Sequence, residues 1–236
     1  MGRSGRHNVM GSLGRRRLLL VFGMLLMASH ATAALAEETI DREYRIKAAF
    51  IYNFLKFVEG GRFSPPAGKK ADELDPNEPF MIGVLGTPPS RIAFEEFKGK
   101  KVGNRPTVVQ WFKSLAELED ETGDVPERHP DLENIRKCHV LFICPSEKPF
   151  LSRILPPLRD SGILTIADVP SFLEAGGVIN LLVEEKKVRF EVNLSAAARA
   201  HLTIRSSLLH LAVKTIDHDR LETDENQENS GGSGRP

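Results

Sequence analysis

The pattern of apolar positions divides the chain into a leader, an opening helix, four strand-and-helix units and a closing hairpin. Between Glu43 and about Val58, the residues Tyr44, Ala48, Ile51, Leu55 and Val58 mark one face at helical spacing. Phe50, Phe54 and Phe57 mark an adjacent face, so the helix predicted here must be covered on most of its girth. Gly60-Gly61 ends it, and residues 63–78, rich in Pro, Lys and Asp, read as a surface connection. Four apolar runs of strand length follow: Phe80–Leu85, Thr107–Trp111, His139–Ile143 and Gly162–Ile166. Helical stretches are predicted after them at Arg91–Phe97, around Ser114–Leu118, from Ser146 to about Arg159, and at Pro170–Ala175. In this reading Ser146 and Asp168 serve as N-caps. Strands that are apolar on both faces and alternate with helices indicate a parallel sheet covered on both sides.

The pattern then changes. Val178–Val183 and Val188–Val192 flank Glu184-Glu-Lys-Lys187, a β-hairpin with a charged turn. Val188, Phe190 and Val192 share one face of its second strand; Arg189, Glu191 and Asn193 share the other. A short helix at Ser195–Ala200 and another at Arg205–Ile216 close the pattern. The fold expected is α/β: a mostly parallel sheet with helices on both faces plus a C-terminal β-hairpin, three layers in a single domain over residues 37–216. Residues 119–137 are polar, contain Pro126 and Pro130, and read as a loop insertion. Residues 217–236 have no aromatic residue and end in Gly, Ser, Arg and Pro, which predicts a disordered tail.

The first 36 residues change the picture of where the protein works. Arg3, Arg6, Arg15, Arg16 and Arg17 precede an apolar run, Leu18–Ala28, and small residues at Ala31-Thr-Ala33 and Ala34-Leu-Ala36 follow. Basic segment, short apolar core and A-x-A exit are the parts of a cleaved secretory signal peptide, and they predict export to the periplasm. The whole chain carries 32 basic and 32 acidic side chains; the leader holds five arginines and no acid, so the remainder has 27 against 32, a net charge of −5. That balance offers no footprint for nucleic acid and no polybasic stripe for anionic lipid. Cys138 and Cys144 bracket a predicted strand. Six strand steps span roughly 20 Å, and a disulfide needs Cα atoms within about 7 Å. Two separate thiols are therefore expected, with a homodimer joined through Cys144 left open.

Chemistry-bearing motifs are scarce. The sequence has no G-x-S-x-G elbow, P-loop, H-E-x-x-H or C-x-x-C. No cofactor and no metal are expected. The histidines after the leader are scattered, and His139 reads as a satisfied core residue. Gly83 and Gly86 read as tight-turn glycines ahead of a phosphate cradle. Candidate contacts for a ligand or partner are Asp168 at a strand end, Arg189, Glu191 and Asn193 on the hairpin's outer face, and Arg205 before the last helix. For each a plainer role competes: helix cap for Asp168, a solvated cross-strand pattern for the hairpin residues, and open water for Arg205. Ser146, Asp168 and His139 form the only triad that can be assembled for a hydrolase.

The order of motifs resembles the YfiR-like family. The resemblance rests on Glu43–Val58, Phe80–Gly86, Lys137–Ile143 with Ser146-Glu147, Ile163–Asp168 with Gly176–Ile179, and Val188–Leu194 with Leu202–Leu209. It implies a periplasmic, non-enzymatic repressor of a membrane-bound diguanylate cyclase or related signalling protein, acting through that protein's periplasmic domain and lowering cyclic di-GMP and biofilm formation. Family members carry disulfides, and this chain departs from that, which puts redox control in doubt. The alternative is a periplasmic receptor for a small solute bound at the strand ends.

Overall fold

The computed structural model describes residues 38–64, 78–119 and 123–217. The expected signal peptide, most of the Pro-rich connection and the tail after Asp217 lie outside the described residues. The chain divides into two units, Met1–Arg42 and Glu43–Pro236. Of the smaller, residues 38–42 are described and are helical.

The larger unit is built on an eight-stranded, mostly parallel sheet. Helix α1 occupies residues 43–54. In chain order the strands are β1 (Val58–Gly60), β2 (Phe80–Leu85), β3 (Lys101–Val102), β4 (Arg105–Phe112), β5 (Val140–Ile143), β6 (Leu164–Ala167), β7 (Ile179–Glu184), β8 (Lys187–Asn193), β9 (Leu202–Ile204) and β10 (Lys214–Ile216). The helices after α1 are α2 (Arg91–Glu95), α3 (Leu132–Ile135), α4 (Leu151–Ile154), α5 (Leu194–Arg199) and α6 (Ser206–Leu209). Strand order across the main sheet is β10-β8-β7-β6-β5-β2-β4-β3. Strands β4, β2, β5, β6 and β7 run parallel to their neighbours, β3 pairs antiparallel with β4, and β7–β8 is the expected hairpin. Its turn residues Glu185 and Lys186 have φ of 49° and 63°, the left-handed pair that a tight two-residue hairpin demands. Strands β1 and β9 form a separate antiparallel ribbon.

Alternation along the strands feeds two cores. Ile82, Val84, Val140, Phe142, Leu164 and Ile166 pack with Tyr44, Ile51, Phe54 and Phe94. Leu85, Leu141, Ile143 and Ala167 pack with Ile135, Leu151, Ile154 and Leu158. The central strands are therefore apolar on both faces because both faces are covered.

Five expected features come out differently. The opening helix stops at residue 54, and Val58–Gly60 instead pairs with Leu202–Ile204. The helix expected from Ser146 to Arg159 breaks into a 3-10 segment (Pro145–Phe150), α4 and a second 3-10 turn (Pro156–Leu158). Pro149, Pro156 and Pro157 each remove an N–H and interrupt the ladder. Residues 170–175 form turns and no helix, with Ser171 at φ 64°. The last helix ends at Leu209; Lys214–Ile216 adds to the open edge of β8 as β10. Ladder pairing on a β-branched Thr-Ile segment outweighs a helical pattern whose Leu211 is left 65% exposed. The region 119–137 is more than a loop, since it contains α3, whose Ile135 is buried, and a buried His129 whose Nε2 bonds Lys113 O at 3.0 Å.

Both cysteines are unpaired and fully buried, Cys138 just before β5 and Cys144 just after it. Burial pushes the Cys138 thiol up to about 12, against a smaller opposing pull from Arg62. Burial also raises the Cys144 thiol, helped by the negative charges of Asp168 and Glu147. Neither is a thiolate near neutral pH, so neither is a ready nucleophile.

His139, 6% exposed, stacks on Phe80 and accepts a hydrogen bond from the Met81 N–H at Nδ1. Burial, then the charges of Arg105 and Arg62, lower it to about 3. The imidazole is thus neutral when folded, and its folded pKa lies below the ordinary value of about 6.5. Its contribution to stability is complete above pH 6.5 and is lost as pH falls from there toward 3. The difference in unfolding free energy between the protein and its His139→Gln variant should therefore shrink by about 2–3 kcal/mol between pH 7 and pH 4.5, read by urea denaturation. A constant difference would mean that the ring reaches water.

Candidate functional site

The carboxyl ends of β2, β4, β5 and β6 lie side by side, the place where an open α/β sheet presents ligands. In this protein its own side chains occupy that place. Asp168 directly follows β6, and its carboxylate turns to α1 instead of capping a following helix. Lys47 Nζ donates to Asp168 Oδ2 at 2.7 Å, and the Tyr44 hydroxyl donates to the same oxygen. Lys47 also pairs with Glu43 one turn earlier. The Lys47 and Asp168 side chains are each 5% exposed, so this is a buried ion pair.

Its electrostatics follow from burial. Loss of water raises the Asp168 carboxyl above its ordinary range, while the Lys47 charge and the hydrogen bonds from Lys47 and Tyr44 pull it back. Burial, then the adjacent Asp168 charge, push the Tyr44 phenol far above its usual value. The phenol therefore keeps its proton and acts only as a donor. Among the described residues, Asp168 Oδ1 is buried with no hydrogen-bond partner. Salt bridge and phenol together bind α1 to the end of β6.

A second cluster sits at the ends of β2 and β5. Glu147 is fully buried; its Oε2 accepts the Leu115 N–H at 3.0 Å and its Oε1 the Ser146 hydroxyl at 2.7 Å. Ser146 Oγ accepts in turn from the Thr87 N–H at 3.0 Å. Gly86 faces this cluster at φ +93°, and a Cβ there would lie 2.4 Å from Ser146 Oγ and 2.5 Å from Glu147 Oε1. The space above Gly86 is thus filled by a carboxylate and a hydroxyl of the same chain. Gly83 meets packing of another kind, its Cβ position lying 2.8 Å from Leu141 Cδ1 and 2.9 Å from Cys138 Sγ.

Of the remaining candidates, Arg189, Glu191 and Asn193 lie on β8 and Arg205 directly follows β9. Arg189 is exposed on β8 opposite Leu182. Glu191 is half-buried between Asn180 of β7 and Lys214 of β10 in the ladder. Asn193 is buried; its Oδ1 accepts the Ala196 N–H at 2.8 Å and its Nδ2 donates to Leu173 O at 2.9 Å, so it starts α5 and ties down the preceding turn. Arg205 Nε donates to Glu59 Oε1 at 2.7 Å across the β1–β9 ribbon. Ser146 and His139 stand at opposite ends of β5, so they do not assemble a triad with Asp168. Among the described residues no cluster of His, Cys, Asp and Glu is arranged to hold a metal.

Lys47 and Tyr44 were the residues missed by sequence reasoning. The available signal was a lysine set within a helix that is apolar on almost every side. A buried ammonium needs a carboxylate, and Asp168 at a strand end is a natural supplier.

A family model described as YfiR/HmsC-like matches residues 44–213. No curated protein matches the chain. Similar solved structures include a conserved domain protein from Vibrio cholerae O1 biovar El Tor, 12% identical with a TM-score of 0.44. They also include the ABC domain from Streptococcus pneumonia, solved in complex with L-Trp, 14% identical with a TM-score of 0.43. The alignments cover 59% and 58% of this chain, and the chain spans about half, 55%, of the length of each neighbour. At those scores neither likeness carries an argument.

Proposed function

The chain belongs to the YfiR/HmsC-like family, and from that premise we propose that it is a periplasmic, non-enzymatic regulator that represses a membrane-bound diguanylate cyclase, or a related signalling protein, by binding its periplasmic domain. The observation that carries this reading is the family match across nearly all of the described larger unit. In the same reading residues 1–36 are a cleaved export signal, residues 37–216 the folded body, and the remainder an unfolded tail. No helix among the described residues is long and apolar enough to cross a membrane.

The physical mechanism is differential affinity. A repressor that binds the inactive conformation of its partner more tightly than the active one shifts the population toward inactivity. A shift from 99:1 active to 1:99 takes a preference of about 10⁴-fold. A rigid body suits that task, because binding then spends little on ordering the repressor. The buried Lys47–Asp168 pair and the two cores support such rigidity.

Deleting the gene should raise cellular cyclic di-GMP and surface attachment, and restoring it should reverse both. Affinity capture of the tagged periplasmic protein should recover a membrane protein with a periplasmic domain and a cyclase output domain. Unchanged cyclic di-GMP together with no such partner would remove this function.

A further inference from the structure

At the end of the sheet opposite Asp168, a groove of roughly 450 Å³ is lined by Arg62, Arg136, Pro156, Pro157, Asp160 and Ser161. Its size falls in the range of about 300–1,000 Å³ typical of small-molecule sites. We propose that this groove binds a small molecule bearing an anionic oxygen group, a carboxylate or a phosphate, held between the guanidinium groups of Arg62 and Arg136. The proposal stands apart from the repressor reading and does not depend on it.

Both arginines are held in place by backbone. Arg62 Nε donates to Ser161 O at 3.2 Å, and Arg136 Nη2 donates to Pro157 O at 3.0 Å, each acceptor lying on the groove's own wall. Arg136 Nη1 makes an exposed pair with Glu133 Oε1 at 3.1 Å. A guanidinium has five N–H donors in a planar fork, so one bond to a carbonyl orients the group while leaving donors for a ligand. Among the described residues, no further hydrogen bond engages the terminal nitrogens of Arg62. Orientation before binding lowers the entropy cost of capture.

The walls are also fixed. The Arg62 N–H donates to Gly162 O at 3.0 Å, joining the segment after β1 to the one before β6. Gly61 and Gly162 meet there at φ +49° and +72°; a Cβ on Gly61 would lie 2.7 Å from Gly162 O, and one on Gly162 would lie 3.0 Å from Arg62 N. Glycine at both positions lets the two backbones approach closely enough to seat Arg62 beside Ser161. Pro156 and Pro157 supply rigid apolar surface for the body of the ligand. The Arg62 charge reaches the neighbouring buried groups, contributing to the lowered basicity of His139. Asp160 is the opposing charge on the rim. Its charge weakens the pull of the two arginines on an anion, and its carboxylate offers an acceptor to a ligand hydroxyl or ammonium.

The test uses the full-length exported chain at constant ionic strength, titrated with inorganic phosphate in one arm and succinate in the other, with chloride as control. Saturable binding by calorimetry in either arm is expected, and the arm that saturates names the chemistry. Arg62→Ala and Arg136→Ala should each weaken it about tenfold, and the corresponding lysine variants, which keep the charge and lose the fork, severalfold. Asp160→Asn alters an exposed side chain, so it keeps the test alive if an arginine variant misfolds; it should tighten binding severalfold. Absence of saturable binding in both arms, or affinity unchanged in the lysine variants and in Asp160→Asn, would overturn the proposal. Neither outcome bears on cyclic di-GMP levels in the deletion strain.

Discussion

Asp168→Ala should lower the unfolding free energy by about 3–5 kcal/mol, the cost of breaking a buried ion pair by removing one partner. The intact pair itself contributes little, because desolvating two charges nearly cancels their attraction. Removing the carboxylate leaves Lys47, 5% exposed, as a buried cation whose remaining partner is Glu43. The Tyr44 hydroxyl loses its acceptor at the same time. Asp168→Asn should cost less, since an amide oxygen can still accept from both groups. The combined variant Tyr44→Phe, Lys47→Met and Asp168→Leu removes all three polar groups and should recover most of the loss. Urea unfolding of the three variants distinguishes this account from a purely packing role. If the apolar triple were as unstable as Asp168→Ala, charge burial would not be the cause.

Phe94→Ala should cost a similar amount, about 3–5 kcal/mol, through a cavity that the surrounding rings cannot close. Phe94 is fully buried at the centre of an aromatic cluster. Its ring centroid lies 4.8 Å from that of Phe142, 6.2 Å from those of Phe97 and Trp111, and 6.4 Å from that of Tyr44. Those rings come from β5, β4, α1 and the turn after α2, so one side chain couples four parts of the fold. Phe94→Leu, which refills much of the space, should cost about half as much. Trp111 is the only tryptophan in the chain, so its emission reports the loosening directly. An unshifted emission maximum and a loss below about 1 kcal/mol would show that the cluster re-packs freely.

Much of the fold is legible in the sequence. The runs Phe80–Leu85, His139–Ile143 and Gly162–Ile166 are mostly apolar because each contains a sheet-centre strand covered on both faces. The hairpin showed in the alternation of Val188, Phe190 and Val192 and in its charged turn. Ser114, read as the start of a short helix, caps a 3-10 turn through a 3.2 Å bond from the Ala116 N–H. The least legible parts were segments whose local pattern favours one structure while a distant edge offers another. Val58 fits a helical stripe and pairs with Ile204; Lys214–Ile216 continues a helical run and pairs with β8. Of the candidate contacts, Asp168 was noticed for its strand-end position, but its partners were hidden 121 and 124 residues away.

Sequence alone determined the α/β class, the central strands, the hairpin and the separation of the two thiols, because periodicity, turn chemistry and strand length act over a few residues. Tertiary structure alone decided which segments became the edge strand and the ribbon. It also decided that Lys47 would be buried against Asp168 and that Arg62 and Arg136 would share one groove. Those outcomes depend on distances between residues far apart in the chain, and no local pattern encodes a distance until the sheet has brought its strands together.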